Sequence, residues 1–166
     1  SMFVGVSSAI QPINGYNFGA KNYDRVRKTY RMATGAALVI SALWWLIYLL
    51  LPRQLAMLFV SNEPLYLDCA AHCFRLYMMA FFLYGVHMTT ASFFQGIGKP
   101  TCSLLIPLVR QGVLLIPLAL LLSRYWGLDG ALFAVPIADV LTCLLCVALA
   151  WSEFRGWKKR GWLNAA

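Results

Sequence analysis

The chain has 166 residues, 61% of them apolar and only 12% charged, with a mean hydropathy of +0.68. Ordinary soluble domains carry roughly 25% charged residues, so a water-soluble core is excluded, together with disorder, collagen, coiled coil and disulfide-stapled secreted scaffolds. The net charge of +8, from 14 Lys and Arg against 6 Asp and Glu, belongs in so apolar a chain to loops facing the cytoplasm and not to nucleic acid. The five cysteines, Cys69, Cys73, Cys102, Cys143 and Cys146, lie in or at the start of apolar runs. There they act as small hydrophobes, and their odd number argues against a disulfide framework.

Residues 1–18 are uncharged but contain Gln11-Pro12 and Asn14, and they lack a basic start and a small-residue cleavage site, so they are not a signal peptide. They read as the last turns of a membrane helix whose beginning is missing, because a full span takes about 20 apolar residues. Residues 19–31 hold Lys21, Arg25, Arg27, Lys28 and Arg31 against Asp24 and read as a basic linker. Residues 32–51 are all uncharged, enough at about 1.5 Å each to cross some ~30 Å of hydrocarbon. The span stops at Pro52-Arg53, and 54–60 suit a short interfacial turn.

Ser61-Asn62-Glu63-Pro64 is a helix start, a capping side chain followed by an acid and a proline. It opens a second full span over 63–94. A tight turn at 95–100 leads to a third span, 101–123, which is interrupted by Pro107 and Pro117 and holds Arg110-Gln111. After a turn at 124–130, a fourth span, 131–151, contains Pro136 and Asp139, and a short basic tail, 152–166, closes the chain. The expected fold is an all-α membrane protein, a polytopic helical bundle of four full transmembrane helices plus the end of a fifth.

Alternating the spans gathers ten of the Lys and Arg at one end: five in 21–31, Lys99, and Arg155, Lys158, Lys159 and Arg160 in the tail. The other end has only Arg53 and Arg124. The positive-inside rule therefore makes the linker, the Lys99 turn and the C-terminus cytoplasmic. Trp126, Trp151, Trp157 and Trp162 fall where interfacial aromatic belts are expected, whereas Trp44 and Trp45 lie mid-span.

No enzyme chemistry or cofactor is expected, since H-E-x-x-H, G-x-S-x-G and Walker A patterns are absent and GIGKP at 96–100 has the wrong spacing. The informative residues are charges inside apolar spans, where an ionisable group costs at least ~2.5 kcal/mol unless it is paired, wet or useful. Arg110 lies about 14 Å and Asp139 about 18 Å from the same face, so adjacent antiparallel helices bring them within reach. They are either a structural salt bridge or a proton- or cation-exchanging pair lining a cavity. The structural reading comes first, because an arginine beside a carboxylate makes it a poor proton carrier.

Arg75 is near enough to its helix end to snorkel. His87 is a helix-packing or a titrating group. His72 shares a helix face with Cys69 and Cys73, but without a fourth ligand no metal site is expected. Pro107, Pro117 and Pro136 permit kinks. Tyr77, Phe81, Phe82, Tyr84, Met78, Met79 and Met88 make an aromatic and thioether-rich surface suited to packing or to a lipophilic cation.

Four segments taken in order, GVSSAIQPINGYNFGAKNYDRVRKTYR at 5–31, SFFQGIGKP at 92–100, LLIPLVRQGVLLIPL at 104–118 and GLDGALFAVPIADVL at 127–141, resemble the C-terminal lobe of a MATE (multidrug and toxic compound extrusion) transporter. The resemblance implies a twelve-helix antiporter of two six-helix lobes, expelling organic cations and drugs in exchange for H+ or Na+. This chain would supply the end of helix eight through helix twelve. The implied partners are the lipid bilayer, the drug substrate and the missing N-terminal lobe of the same polypeptide, and the implied location is a plasma membrane, the bacterial inner membrane. Gln11, Pro12, Asn14, Asn17 and Gly19 would belong to the helix-eight end, Arg110 and Gln111 to helix eleven, and Asp139 to helix twelve; Arg75 and His87 are further cavity candidates.

Sodium-coupled members of the family commonly carry an acid on the tenth helix, and residues 70–94 contain none. The coupling acid is then expected in the N-terminal lobe, with H+ favoured. Two alternatives remain open: a flippase for a lipid-linked precursor, and a stand-alone four-helix membrane protein acting as an oligomer.

Overall fold

The computed structural model describes residues 2–51, 54 and 64–163, and every regular element among them is helical. The expected stop at 52–53, most of the interfacial turn at 54–60, the cap at 61–63 and the last three residues of the tail lie outside the described residues.

Helix α1 (Met2–Gly19) closes in a turn in which the Asn22 amide donates to the Asn17 carbonyl at 2.8 Å, with Lys21 at φ 59°. Helix α2 (Tyr23–Leu50) then begins inside the segment expected as a linker, which shrinks to residues 20–22. The cause lies in the sequence of that segment. Asp24 favours a helix N-terminus, Arg and Lys are good helix formers, and Val26 and Tyr30, four residues apart, give the first turns a buried stripe.

Helix α3 (Pro64–Tyr77) and helix α4 (Tyr84–Gly96) replace the single span expected over 63–94. Between them come a turn at 78–80 and a 3-10 turn, Phe81–Leu83. The break contains neither glycine nor proline, and it is α2 that supports it. The Trp45 indole donates to the Met79 carbonyl at 3.1 Å, and the Ser41 hydroxyl, shared with its own helix, reaches the Phe82 carbonyl at 2.7 Å. Backbone groups freed inside a membrane need such partners. Just beyond the break, a Cβ on Gly85 would stand 2.8 Å from the Ala37 carbonyl oxygen, so α2 and α4 meet backbone to backbone.

Helix α5 (Pro100–Leu108) starts with proline at its first position and runs into a π-helical segment, Val109–Leu115. The wider turn lies directly ahead of Pro117, whose ring and missing N–H disturb the preceding α turn. Helix α6 (Ile116–Lys159) reverses at Gly127, at φ 61° and ψ −134°. Two arms, 116–126 and 128–159, fold back on each other there, and a side chain on Gly130 would strike the Leu122 carbonyl. A positive φ of this kind is accessible chiefly to glycine.

The core clusters at one end of the bundle around Val26, Tyr30, Phe93, Phe94, Ile106, Cys146 and Trp157. The stretch expected as a separate tail is part of it: α6 continues to Lys159, and Trp157, expected in an interfacial belt, is 1% exposed. Its indole donates to Glu153 at 2.9 Å, Glu153 also pairs with Lys99, and Tyr23 stacks on Trp162 at 4.5 Å. Elsewhere Leu43, Leu50, Leu104, Leu108, Leu120 and Leu144 are exposed, an apolar surface made for lipid. Helix α2 and the run Pro100–Lys159 are long and apolar enough to cross a membrane.

Candidate functional site

The reversal at Gly127 returns the last arm alongside the π segment. There the Arg110 Nε donates to the Asp139 Oδ1 at 2.7 Å, although an unbroken helix would hold residues so spaced about 44 Å apart. The Asp139 side chain is 4% exposed and that of Arg110 is 16% exposed. An ion pair this dry needs short, well-directed contacts to offset the loss of water.

Helix α4 completes the site. The Arg110 guanidinium carbon lies 5.5 Å from the centre of the Tyr84 ring, a cation–π contact. One turn further on, His87 meets Tyr84 edge to face at 6.2 Å, and its Nε2 lies 3.1 Å from the Asp139 backbone oxygen. A carbonyl only accepts, so Nε2–H is the donor, and Nδ1 is left buried without a partner among the described residues. Asp139 is thus held twice, through its carboxylate by the π segment and through its main chain by α4. On another face of the same arm, Pro136, Ile137 and Val140 join Met79 and Phe82 in an apolar groove of about 390 Å³.

The other candidates lie elsewhere. Gln111 is exposed and outside the pair. Arg75 is exposed in a small cleft with Trp45, Tyr48 and Phe74. His72 meets Asp129 at 3.2 Å with both side chains more than half exposed, and among the described residues no three metal-ligating side chains converge.

The family-motif residues build a different junction, between α1 and α4. Gln11 donates to Gln95 at 2.9 Å, and the Asn17 side-chain amide donates back to the Ile13 carbonyl of its own helix at 2.8 Å. Asn14 is fully buried with no hydrogen-bonding partner among the described residues. A Cβ on Gly96 would stand 3.0 Å from both the Asn14 Cβ and the Gln11 carbonyl. Pro12 and Gly19 are exposed, and Gly19 ends the helix. Sequence reasoning missed Asp129 as the partner of His72 and Tyr84 as the aromatic under Arg110. The i, i+3 spacing of Tyr84 and His87 was the available signal for the latter.

This arrangement keeps opposite charges apart from water and fastens three helical segments. The MatE family profile matches residues 1–121. The chain is 29% identical over 147 residues to the FAD transporter of Shewanella oneidensis, a match covering 89% of this chain and 32% of that protein. It is 23% identical over 151 residues to the multidrug export protein MepA of Staphylococcus haemolyticus, covering 91% of this chain and 33% of that protein. Among solved structures, the MATE multidrug transporter DinF-BH superposes with a TM-score of 0.85 at 34% identity, over 91% of this chain and 34% of that one. The chain therefore spans about a third of the length of these relatives. With the fold, the ordered motifs and the profile in agreement, the chain belongs to the MatE family of membrane transporters.

Proposed function

We propose that the protein carrying this segment is a secondary active exporter that expels organic cations and drugs in exchange for H+ or Na+. This chain forms part of its C-terminal lobe, the end of one membrane helix followed by four spans. The observation that carries the reading is the match of residues 1–121 to the MatE profile, which the fold supports. The Arg110–Asp139 pair, buried between apolar helices, is compatible with it, since charges persist in such a place when they are paired, wet or useful. Within that reading the pair ties the π segment, α4 and α6 into one body, and the coupling acid lies outside this chain. The excess of Lys and Arg at one end supports a bacterial inner-membrane orientation with the C-terminus cytoplasmic.

The test is efflux by the full-length protein. Cells lacking other exporters should accumulate less ethidium or fluoroquinolone when they express it, and proteoliposomes should move the cation under an imposed H+ or Na+ gradient. Accumulation equal to that of empty cells, with no transport under either gradient, overturns the reading. The name of the Shewanella relative favours a second reading, export of a flavin dinucleotide. FAD movement without dye movement in the same vesicles would select it.

A further inference from the structure

The face of α2 that packs on other helices carries Val26, Tyr30, Ala37 and Ser41, all buried. Its opposite side carries Asp24, Arg27, Lys28, Arg31 and Met32, at the i, i+3, i+4, i+7 and i+8 spacing of a single helix face. These five residues are exposed and line a groove of about 310 Å³. The groove ends at Met32, the first residue of the uncharged run 32–51, so it straddles the level where headgroups give way to hydrocarbon. Three cations against one carboxylate leave it net positive, and their aliphatic stems suit that boundary. At the same end of the bundle Arg155 lies over Trp151 at 4.1 Å and Arg160 over Trp162 at 5.1 Å, as indoles do at a membrane interface.

We propose that this groove binds the phosphodiester headgroup of an anionic glycerophospholipid, with Arg27, Lys28 and Arg31 meeting the phosphate and Met32 meeting the first methylenes of an acyl chain. Guanidinium groups bind phosphate oxygens in pairs, and the lysine adds a point charge. A zwitterionic lipid offers the same phosphate with its charge already cancelled by an ammonium group, so the site discriminates by net charge. The proposal does not depend on the transported substrate or on which leaflet this end occupies.

The experiment is native mass spectrometry of the full-length protein in detergent, titrated with phosphatidylglycerol or with phosphatidylcholine of matched chains. The expected result is a 1:1 adduct with phosphatidylglycerol, at least about tenfold favoured over phosphatidylcholine, since each basic residue near an anionic surface is worth about fivefold in binding. The R27Q/K28Q/R31Q variant should lose that preference, while K158Q/K159Q/R160Q, which removes as much charge from the tail, should keep it. Met32→Trp retains every charge but fills the groove, and it should weaken the adduct as well, so the answer does not hang on the folding of the triple variant. Equal adducts with both lipids, equal losses in the two triple variants, or a wild-type adduct in Met32→Trp would overturn the proposal. Complete displacement of the lipid by millimolar inorganic phosphate would overturn it too, by making this a free-phosphate site.

Discussion

Arg110 and Asp139 stand 29 residues apart in the chain and 2.7 Å apart in space, with the Asp139 main chain held from a third segment by His87. Their contact closes only because the backbone reverses at Gly127. Removing one partner leaves the other charge buried alone, which typically costs about 3–5 kcal/mol, whereas an apolar pair of similar size is nearly neutral. Asp139→Asn and Arg110→Ala should each lower the thermal midpoint of the full-length protein in detergent. An Arg110→Met/Asp139→Leu double variant should recover most of the loss. Unchanged midpoints with abolished export would assign the pair to transport and not to the scaffold.

The close approach of Gly85 to Ala37 makes a second, local test. Gly85→Ala pushes a methyl group to 2.8 Å from a backbone oxygen, and overpacking of this kind costs about 1–3 kcal/mol. Gly35→Ala, on the same α2 helix with nothing within 4 Å of the added carbon, should stabilise by up to about 1 kcal/mol through helix propensity. Opposite shifts in thermal midpoint for the same chemical change would establish the packing. Parallel shifts would refute it.

Ser41 and Trp45 supply the donors for the break between α3 and α4. Ser41→Ala and Trp45→Phe should each cost about 0.5–2 kcal/mol, the range of interhelical hydrogen bonds in membranes. Both should speed amide hydrogen exchange at 78–83 and leave 101–108 unchanged. Exchange that is equally slow in wild type and variants would mean that the break holds itself.

At the basic end of the bundle, Trp157 and the Lys99–Glu153 pair sit in one network with very different exposure. Trp157→Ala should cost about 3–5 kcal/mol, as for a buried aromatic cut back in a core. Lys99→Gln, with a side chain 44% exposed, should cost less than about 1 kcal/mol. Comparable losses from the two would show that the ion pair, and not the indole, anchors this end.

Much of this was legible in the residues. Apolar runs and basic clusters give the helices and the end at which Lys99 and residues 21–31 gather. Depth counting from Trp151 and from the 95–100 turn put Arg110 and Asp139 at compatible levels. What escaped was the set of features decided by neighbours. The break at 78–83 has no glycine or proline to mark it, because its hydrogen bonds are completed by α2. The early start of α2 and the burial of Trp157 hid behind charge: arginines and lysines look like loop, yet one face of the same segment carries Val26 and Tyr30. The His72–Asp129 contact joins two segments whose proximity no local pattern encodes.

The π segment has a consequence for how the chain tolerates change. Such a turn accommodates one residue more than the α winding on either side of it, so the helix before Val109 and the arm after Leu115 differ in phase by about 100° from an uninterrupted helix. Losing one residue between 111 and 115 would restore regular winding and keep the faces on either side in the phase their neighbours need, so the Arg110 fork would still reach its carboxylate. Adding a residue there would instead turn the following arm by about 100° and pull the two apart. Val113, 63% exposed to the surroundings, should accept almost any apolar replacement and even a deletion, but no insertion. Along this stretch the chain has one residue to spare and no room for another.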